Sequence, residues 1–214
     1  MKKQFEILQK EIVYPGYFRM EKYRLKHTLY GGGWSGDISR ELFVRGDCVA
    51  VLLYDPNTDK IVLIEQFRAG AILQPDNAWL VEIVAGGIEA GETAEEVAYR
   101  ESAEEAGCKI EELIEISRFY TTPGCSAEWL TLFCGKVDST QAGGIHGLDD
   151  EDEDILVRVV DFDEAYRMLE EGEIISSIPI IAIQWLALNK QKLRKKWGGI
   201  ATSQERNQAY PQRA

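Results

Sequence analysis

Three glutamates at helical spacing are the residues of this chain best suited to chemistry. Glu101, Glu104 and Glu105 lie three and four residues apart, so on a helix they share one face. Val97 and Ala98 lie one turn earlier on the same stripe, and we expect their side chains to face the core. Carboxylates that continue an apolar stripe need a cation or strong hydrogen-bond donors; the alternative is an ordinary solvated acidic face. Oxygen ligands favour Mg²⁺, with Mn²⁺ as a substitute, over zinc.

The helix that must carry these glutamates is delimited by its own sequence. Thr93 and Glu96 form a T-x-x-E capping box, and Gly107 is a typical C-terminal stop, which together predict a helix over about 93–106. Arg100 is spaced to pair with Glu96 or Glu104, which would offset part of the acidic charge.

A longer pattern surrounds the helix, with the register G-x5-E-x7-R-E-x-x-E-E-x-G. Its fixed positions are Gly86, Glu92, Arg100, Glu101, Glu104, Glu105 and Gly107. In this register the chain resembles the Nudix hydrolases, which cleave the pyrophosphate bonds of nucleoside diphosphate derivatives. Ser102 and Cys108 depart from the family pattern, in which larger aliphatic residues are usual. Both departures concern the packing of the loop–helix unit and not its chemistry.

The resemblance implies a set of metal ligands and a catalytic base. Glu101 and Glu105 would bind the metal, Glu104 would be a supporting ligand or a partner of Arg100, and Ala85 would offer its backbone carbonyl. An acidic run at 149–154, DDEDED, would supply the rest. Without the resemblance it is typical of a solvated loop, whereas in the similar enzymes this loop closes over the pyrophosphate.

By the same resemblance, the register from the segment GIHG at 144–147 assigns roles within the acidic run. It makes Glu151 the catalytic base and Glu153 a further metal ligand. Because six acids are consecutive, the register could slip, and Asp150 or Asp152 could replace Glu151. A carboxylate close to a metal-bound water is suited to accept its proton.

Other segments are similar to the ADP-ribose pyrophosphatase branch of the family. They are Pro123, fifteen positions after Cys108, and the stretches WLVEIVAG, SIPIIAIQWLAL and GGIHGLDDEDEDILV; with them the likeness covers about residues 8–197. It implies that Arg68 lies near the phosphates of the substrate, and that Gly87, Thr122 and Glu128 lie near the metal or the terminal ribose. Tyr17 and Phe18 would contact adenine. Further contacts on the nucleotide side would come from Arg40, Glu41 and Arg45. The alternative is that these are ordinary surface and sheet residues.

The hydrophobic patterning predicts an α+β protein. Alternating segments fill the first 45 residues, with a turn at GGGWSG, and a hairpin joins 48–54 to 60–67. Helices are expected from Asp163 to Gly172 and through IPIIAIQWLALNKQKLRKKW. The resemblance implies the Nudix fold, an α/β/α sandwich with a mixed sheet. We divide the chain into an N-terminal antiparallel β subdomain (1–46), a catalytic domain (47–197) and a flexible tail (198–214).

Composition excludes several classes of protein. A net charge of −12 argues against a nucleic-acid groove, and no segment has the length of a membrane span or the pattern of a signal peptide. The four cysteines lack disulfide or zinc spacing and are expected to be core or half-buried thiols. The cytoplasm is therefore the expected compartment.

The expected function is Mg²⁺-dependent hydrolysis of ADP-ribose to AMP and ribose 5-phosphate. In the similar enzymes the N-terminal subdomain is exchanged across a two-fold axis, which implies a homodimer. One alternative is a Nudix hydrolase of another nucleotide sugar, such as GDP-mannose. A more distant one is a catalytically silent Nudix fold that binds a nucleotide and regulates a partner, and the last is an acidic structural protein with no ligand.

Overall fold

The computed structural model describes residues 2–74, 78–148 and 152–198. Its eleven strands are β1 (Phe5–Pro15), β2 (Arg19–His27), β3 (Ile38–Val44), β4 (Cys48–Asp55), β5 (Lys60–Phe67), β6 (Trp79–Glu82), β7 (Val84–Gly87), β8 (Glu112–Tyr120), β9 (Trp129–Lys136), β10 (Gly144–His146) and β11 (Ile155–Asp161). Its α-helices are α1 (Ala94–Glu104), α2 (Phe162–Glu170) and α3 (Ser177–Trp197).

The N-terminal strands form an antiparallel sheet of their own in the order β1-β2-β3. GGGWSG connects β2 to β3, closed by a bridge between Thr28 and Trp34, so the predicted turn is confirmed. The loop before β9 joins this sheet: Phe43 donates its N–H to the carbonyl of Cys125 at 2.8 Å, and Ala127 donates to the carbonyl of Phe43 at 3.1 Å.

The chain divides into two compact units. One comprises the chain up to Cys48 together with Arg118–Leu130. The other comprises Val49–Ser117 and the described residues from Thr131 onward. The segment 118–130 is thus part of the N-terminal unit, although it lies inside the expected catalytic range. The expected tail, apart from Gly198, lies outside the described residues.

The second sheet has eight strands in the order β10-β11-β5-β4-β9-β8, with β6 paired to β5 and β7 paired to β4. The hairpin of β4 and β5 is confirmed, and β4 is buried along its whole length. Because side chains alternate across a strand, β4 serves two layers. Val49, Val51 and Leu53 pack in one cluster with Val97 and Ala98 of α1.

The helices flank this sheet, which confirms the predicted fold class. Helix α1 contacts β7, and α2 contacts β5, β11 and α3. Helix α2 begins at Phe162 with Asp161 as its N-cap, so the predicted start at Asp163 was one residue late. Helix α3 ends at Trp197, and Gly198, with a φ of 75°, forms its left-handed C-cap. No described helix has both the length and the apolar character needed to cross a membrane.

The predicted capping box sets the position of α1. Thr93 Oγ1 accepts from the Glu96 N–H at 3.2 Å, and Glu96 Oε2 accepts from the Thr93 N–H at 2.8 Å. Glu105 is the C-cap of the helix, the Gly107 N–H still donates to the Ala103 carbonyl at 3.1 Å, and Gly107 has a φ of 62°. The register of the carboxylates along α1 is therefore fixed at both ends.

Replacing Thr93 tests how much the cap contributes. Thr93→Ala removes the acceptor for the Glu96 N–H and should lower the free energy of unfolding by about 1 kcal/mol. Thr93→Ser keeps the acceptor and should remain close to wild type. Urea denaturation followed by circular dichroism measures both, and equal midpoints for wild type and Thr93→Ala would contradict the assigned role.

Candidate functional site

Glu105 is a buried carboxylate at the C-terminal end of α1. It is only 3% exposed, and its Oε2 accepts a hydrogen bond from the Ala85 N–H at 3.0 Å. Burial raises its pKa to about 8, and the charges of Glu101 and Glu153 act in the same direction. The Ala85 N–H and the more distant Arg68 oppose this shift. The metal-free protein therefore holds a proton on Glu105 at neutral pH.

Glu101 lies one turn earlier on the same face and is partly buried, with its side chain 14% exposed. Burial raises its pKa to about 7, against the opposing effect of Arg100, whose Nη1 donates to Oε1 at 2.8 Å. A Cβ placed on Gly86 would lie 1.8 Å from the same oxygen. Any side chain at position 86 would therefore displace the carboxylate. This close approach explains the first glycine of the sequence pattern.

Arg100 organises the carboxylates around it. Its guanidinium reaches Glu92 at 3.0 Å, Glu101 at 2.8 Å and Glu104 at 3.0 Å. The predicted pairing with Glu104 is confirmed. The alternative pairing with Glu96 was wrong, because the Glu96 carboxylate caps the helix at Thr93.

The two departures from the family pattern are accommodated beneath the helix. Ser102 is fully buried and donates its Oγ–H to the Ala98 carbonyl at 2.7 Å, so its hydroxyl is satisfied. Cys108 is buried as well, and burial raises the pKa of its thiol to about 11. Val97 and Ala98 face the core as predicted.

Glu153 lies close enough to act on both buried glutamates, since its charge raises the pKa of Glu101 and of Glu105. Its N–H donates to the carbonyl of Leu148 at 3.2 Å. Asp149, Asp150 and Glu151 lie outside the described residues, so the assignment of the base to Glu151 stays a prediction. The alternative Asp152 is described and has a φ of 55°.

The carboxylate oxygens of this site suit a hard divalent cation, although they are not arranged as a closed set of metal ligands. Among residues 2–74, 78–148 and 152–198, no three acidic, histidine or cysteine side chains lie close enough to hold an ion. The inward carboxylates instead occupy protein donors, Glu101 with Arg100 and Glu105 with the Ala85 N–H. Two oxygen donors with burial-raised pKa values are nevertheless what a cation would stabilise in place of protons.

Arg68, the expected phosphate contact, is half-buried at the end of β5. Its Nε donates to Glu82 Oε2 at 2.7 Å, and Glu82 Oε1 accepts from Ser176 Oγ at 2.9 Å. Glu82 was not among the predicted site residues, although a charged residue within an apolar strand was a signal for it. Gly87, at the end of β7, is exposed.

In the N-terminal unit, the predicted adenine contacts form an aromatic cluster. Tyr17 is 97% exposed and packs edge to face on Phe18, with 4.7 Å between the ring centroids. Phe18 packs in the same way on Phe43, and the Arg45 guanidinium lies 5.4 Å from the Phe18 ring. Arg40 and Glu41 are exposed on β3.

Glu128, in the same unit, is held from three sides. Its Oε1 accepts from the Cys48 thiol at 2.6 Å and lies 3.4 Å from Arg45, and its Oε2 accepts from Thr121 Oγ1 at 2.8 Å. Thr122 is exposed in the adjacent loop. No sequence pattern pointed to Thr121. None pointed to Cys48 either, because it lies eighty residues from its partner Glu128.

Comparison with known proteins agrees with this geometry. The family model of the NUDIX domain matches residues 44–181. The chain is 44% identical over 195 residues to an ADP-ribose pyrophosphatase of Haemophilus influenzae, with 90% of each chain covered. It is 43% identical over 196 residues to an ADP-ribose pyrophosphatase of Escherichia coli K12, with 92% of this chain and 94% of that one covered.

The fold is shared with a solved structure described as an ADP compounds hydrolase. The TM-score is 0.68 at 18% identity, over 89% of this chain and 97% of that chain. At this identity the likeness concerns the fold alone. It confirms the predicted architecture.

The raised carboxyl pKa values predict how the stability of the metal-free protein depends on pH. Glu105 and Glu101 have folded-state pKa values of about 8 and about 7, above the ordinary value of 4.5. Between these limits the folded state binds more protons than the unfolded state, so the free energy of unfolding falls as pH rises. The urea midpoint of chelator-treated protein should decrease from about pH 5 to about pH 8.5.

Glu105→Gln should flatten this pH dependence, because glutamine has no proton to release. Glu95→Gln, at an exposed position of the same helix, is the matched control and should follow wild type. Identical pH slopes for Glu105→Gln and wild type would show that Glu105 does not titrate as described.

Proposed function

The chain belongs to the Nudix family, and we propose that it hydrolyses the pyrophosphate bond of ADP-ribose, giving AMP and ribose 5-phosphate, with Mg²⁺ as its cofactor. Two relatives at 43–44% identity over most of the chain carry this activity in their names, which supports the same substrate here. The observation that carries the proposal is the pair formed by the partly buried Glu101 and the buried Glu105 on one face of α1, whose pKa values are both raised.

Four oxygen donors would hold the metal: the carboxylates of Glu101, Glu105 and Glu153 and the backbone carbonyl of Ala85. Glu104 would support them through Arg100, to which it is bound at 3.0 Å. When bound, Mg²⁺ neutralises pyrophosphate charge and lowers the pKa of a coordinated water; Mn²⁺ would substitute. The buried position of Glu105 supports this role because an enclosed carboxylate is poorly solvated and is stabilised by a neighbouring cation.

Glu151 would remove the proton from the attacking water, with Asp150 or Asp152 as the alternatives in the same acidic run. Arg68 would bind the phosphates, since its guanidinium already acts electrostatically on Glu105 and is oriented by Glu82. Fixed positive charge at that point stabilises the charge that develops on the phosphate oxygens.

The nucleotide contacts would come from residues with exposed polar or aromatic groups. Tyr17 and Phe18 would pack on adenine, which suits the near-complete exposure of the Tyr17 ring. The remaining contacts are proposed for Arg40, Glu41, Arg45, Gly87, Thr122 and Glu128. The three-sided support of Glu128 favours a fixed contact with a ribose hydroxyl.

We further propose that the protein is a cytoplasmic homodimer that pairs through its N-terminal sheet. Every residue of β1 is exposed, including Phe5 at 71%, Ile7 at 51%, Ile12 at 50% and Tyr14 at 61%. Apolar side chains exposed along a strand of eleven residues are typical of a surface that binds another protein chain. The family likeness favours a second copy of this chain as that partner. Cys48, Cys108 and Cys134 are buried as expected, whereas the expectation was wrong for Cys125, which is exposed in a loop; all four are free thiols, which fits a reducing compartment.

Glu105→Gln is the sharpest test of the proposed chemistry. It keeps the shape of the side chain and removes a principal ligand, so the rate of ADP-ribose hydrolysis with Mg²⁺ should fall at least ~100-fold. Glu95→Gln should keep wild-type turnover. The assay is phosphate release coupled to a phosphatase, over a panel that includes ADP-ribose and GDP-mannose, with Mg²⁺ and with chelator. Turnover of Glu105→Gln near wild type would refute the metal assignment, and preference for GDP-mannose would refute the substrate.

The dimer is tested by light scattering of the full chain at micromolar concentration. We expect the mass of two chains, and Ile12→Lys should shift the mass toward one chain because it places a charge in the paired surface. Lys22→Glu, at an exposed position of β2, serves as a charge-change control. A fully active wild-type monomer would exclude the dimer.

A further inference from the structure

His146 covers Gly107, the glycine that follows the C-terminal end of α1. A Cβ placed on Gly107 would lie 2.6 Å from Cε1 of His146, which is closer than a side chain tolerates. Gly107 also has a φ of 62°, so its conformation and the space above it both require glycine. The imidazole therefore rests directly on the backbone of the turn that follows Glu105.

His146 is also fixed on its own side of this contact. It is the last residue of β10 and pairs with Ile155 of β11. Its Nε2 lies 3.0 Å from the carbonyl of Gly143, which can only accept, so Nε2 carries the proton and donates. The ring is thus held between the strand that bears it and the end of the helix.

The backbone that directly follows His146 packs against Glu153. A Cβ on Gly147 would lie 2.7 Å from Cβ and from the carbonyl oxygen of Glu153. Gly147 has a φ of 105°, and Leu148 accepts a hydrogen bond from the Glu153 N–H at 3.2 Å. The backbone of Glu153 is therefore packed against the residues that directly follow His146.

These contacts connect the end of α1 to Glu153. We propose that His146 is a positioning residue: by resting on Gly107 it holds the backbone at Gly147 and Leu148, and this backbone sets where the Glu153 carboxylate lies relative to Glu101 and Glu105. The proposal rests on the proposed function, because it assumes that these carboxylates bind a metal. His146 itself is not placed among the ligands.

The role predicts an effect on metal affinity that a purely structural histidine would not have. Residues that orient metal ligands typically change affinity by about 10–100-fold when they are removed. His146→Ala should therefore weaken Mn²⁺ binding about tenfold. His146→Gln keeps an N–H that donates to Gly143 and a flat amide against Gly107, and it should stay within about threefold of wild type.

The experiment is a Mn²⁺ titration of the metal-free full chain, without substrate, in which electron paramagnetic resonance reports free Mn²⁺. The variants are His146→Ala, His146→Gln, Glu153→Ala, the double variant His146→Ala/Glu153→Ala, and Glu105→Gln. His27→Ala, which removes the other histidine from an exposed position in the N-terminal sheet, is the matched control. His146→Leu, which fills the space but donates no hydrogen bond, replaces His146→Ala if that variant does not fold.

We expect His146→Ala and Glu153→Ala each to weaken Mn²⁺ binding, and the double variant to bind no more weakly than Glu153→Ala alone, because His146 acts through Glu153. His27→Ala should bind as wild type does. Wild-type affinity in His146→Ala, additive losses in the double variant, or wild-type affinity in Glu153→Ala would each overturn the positioning role. Wild-type affinity in Glu105→Gln would instead overturn the proposed metal site.

Discussion

The burial of the Glu105 carboxylate is the constraint on which the rest of the site depends. An ionised carboxylate in an enclosed position is unfavourable unless a proton or a cation compensates it. In the metal-free protein, burial keeps a proton on this group at neutral pH, and the Ala85 N–H holds one of its oxygens. A divalent cation would take the place of that proton, so the same burial that disfavours the bare charge favours metal binding.

The fold around Glu105 fixes where that charge lies. The capping box at Thr93 sets the start of α1, and Val97 and Ala98 anchor its inner face to the cluster of β4 and β5. Arg100 then gathers the outer carboxylates, while Gly86 leaves room for Glu101. Together these features fix the position and the direction of the carboxylates on α1.

Interactions between residues close together in the chain could be predicted from the sequence, whereas those between distant segments could not. The capping box, the shared face of the glutamates and the apolar stripe are contacts within a few residues, and the periodicity of a helix determines them. The contact of Cys48 with Glu128 and the joining of residues 118–130 to the N-terminal sheet depend on chain segments far apart, for which the sequence carried no spacing signal. The choice of Glu96 as a partner of Arg100 failed because helical spacing allows the pair, whereas capping uses the same carboxylate. The assignment of Glu151 depends on register within six consecutive acids, which no local rule resolves.

Replacement of a proton by a cation on Glu101 and Glu105 can be measured by counting the protons that are released when metal binds. Titration calorimetry of the metal-free chain with Mn²⁺ in two buffers of different ionisation enthalpy gives that number. This replacement predicts proton release near pH 6.5 that declines toward zero above about pH 9, and loss of most of the release in Glu105→Gln. Binding with the same enthalpy in both buffers at pH 6.5, or no uptake of Mn²⁺ even with a diphosphate ligand present, would contradict it.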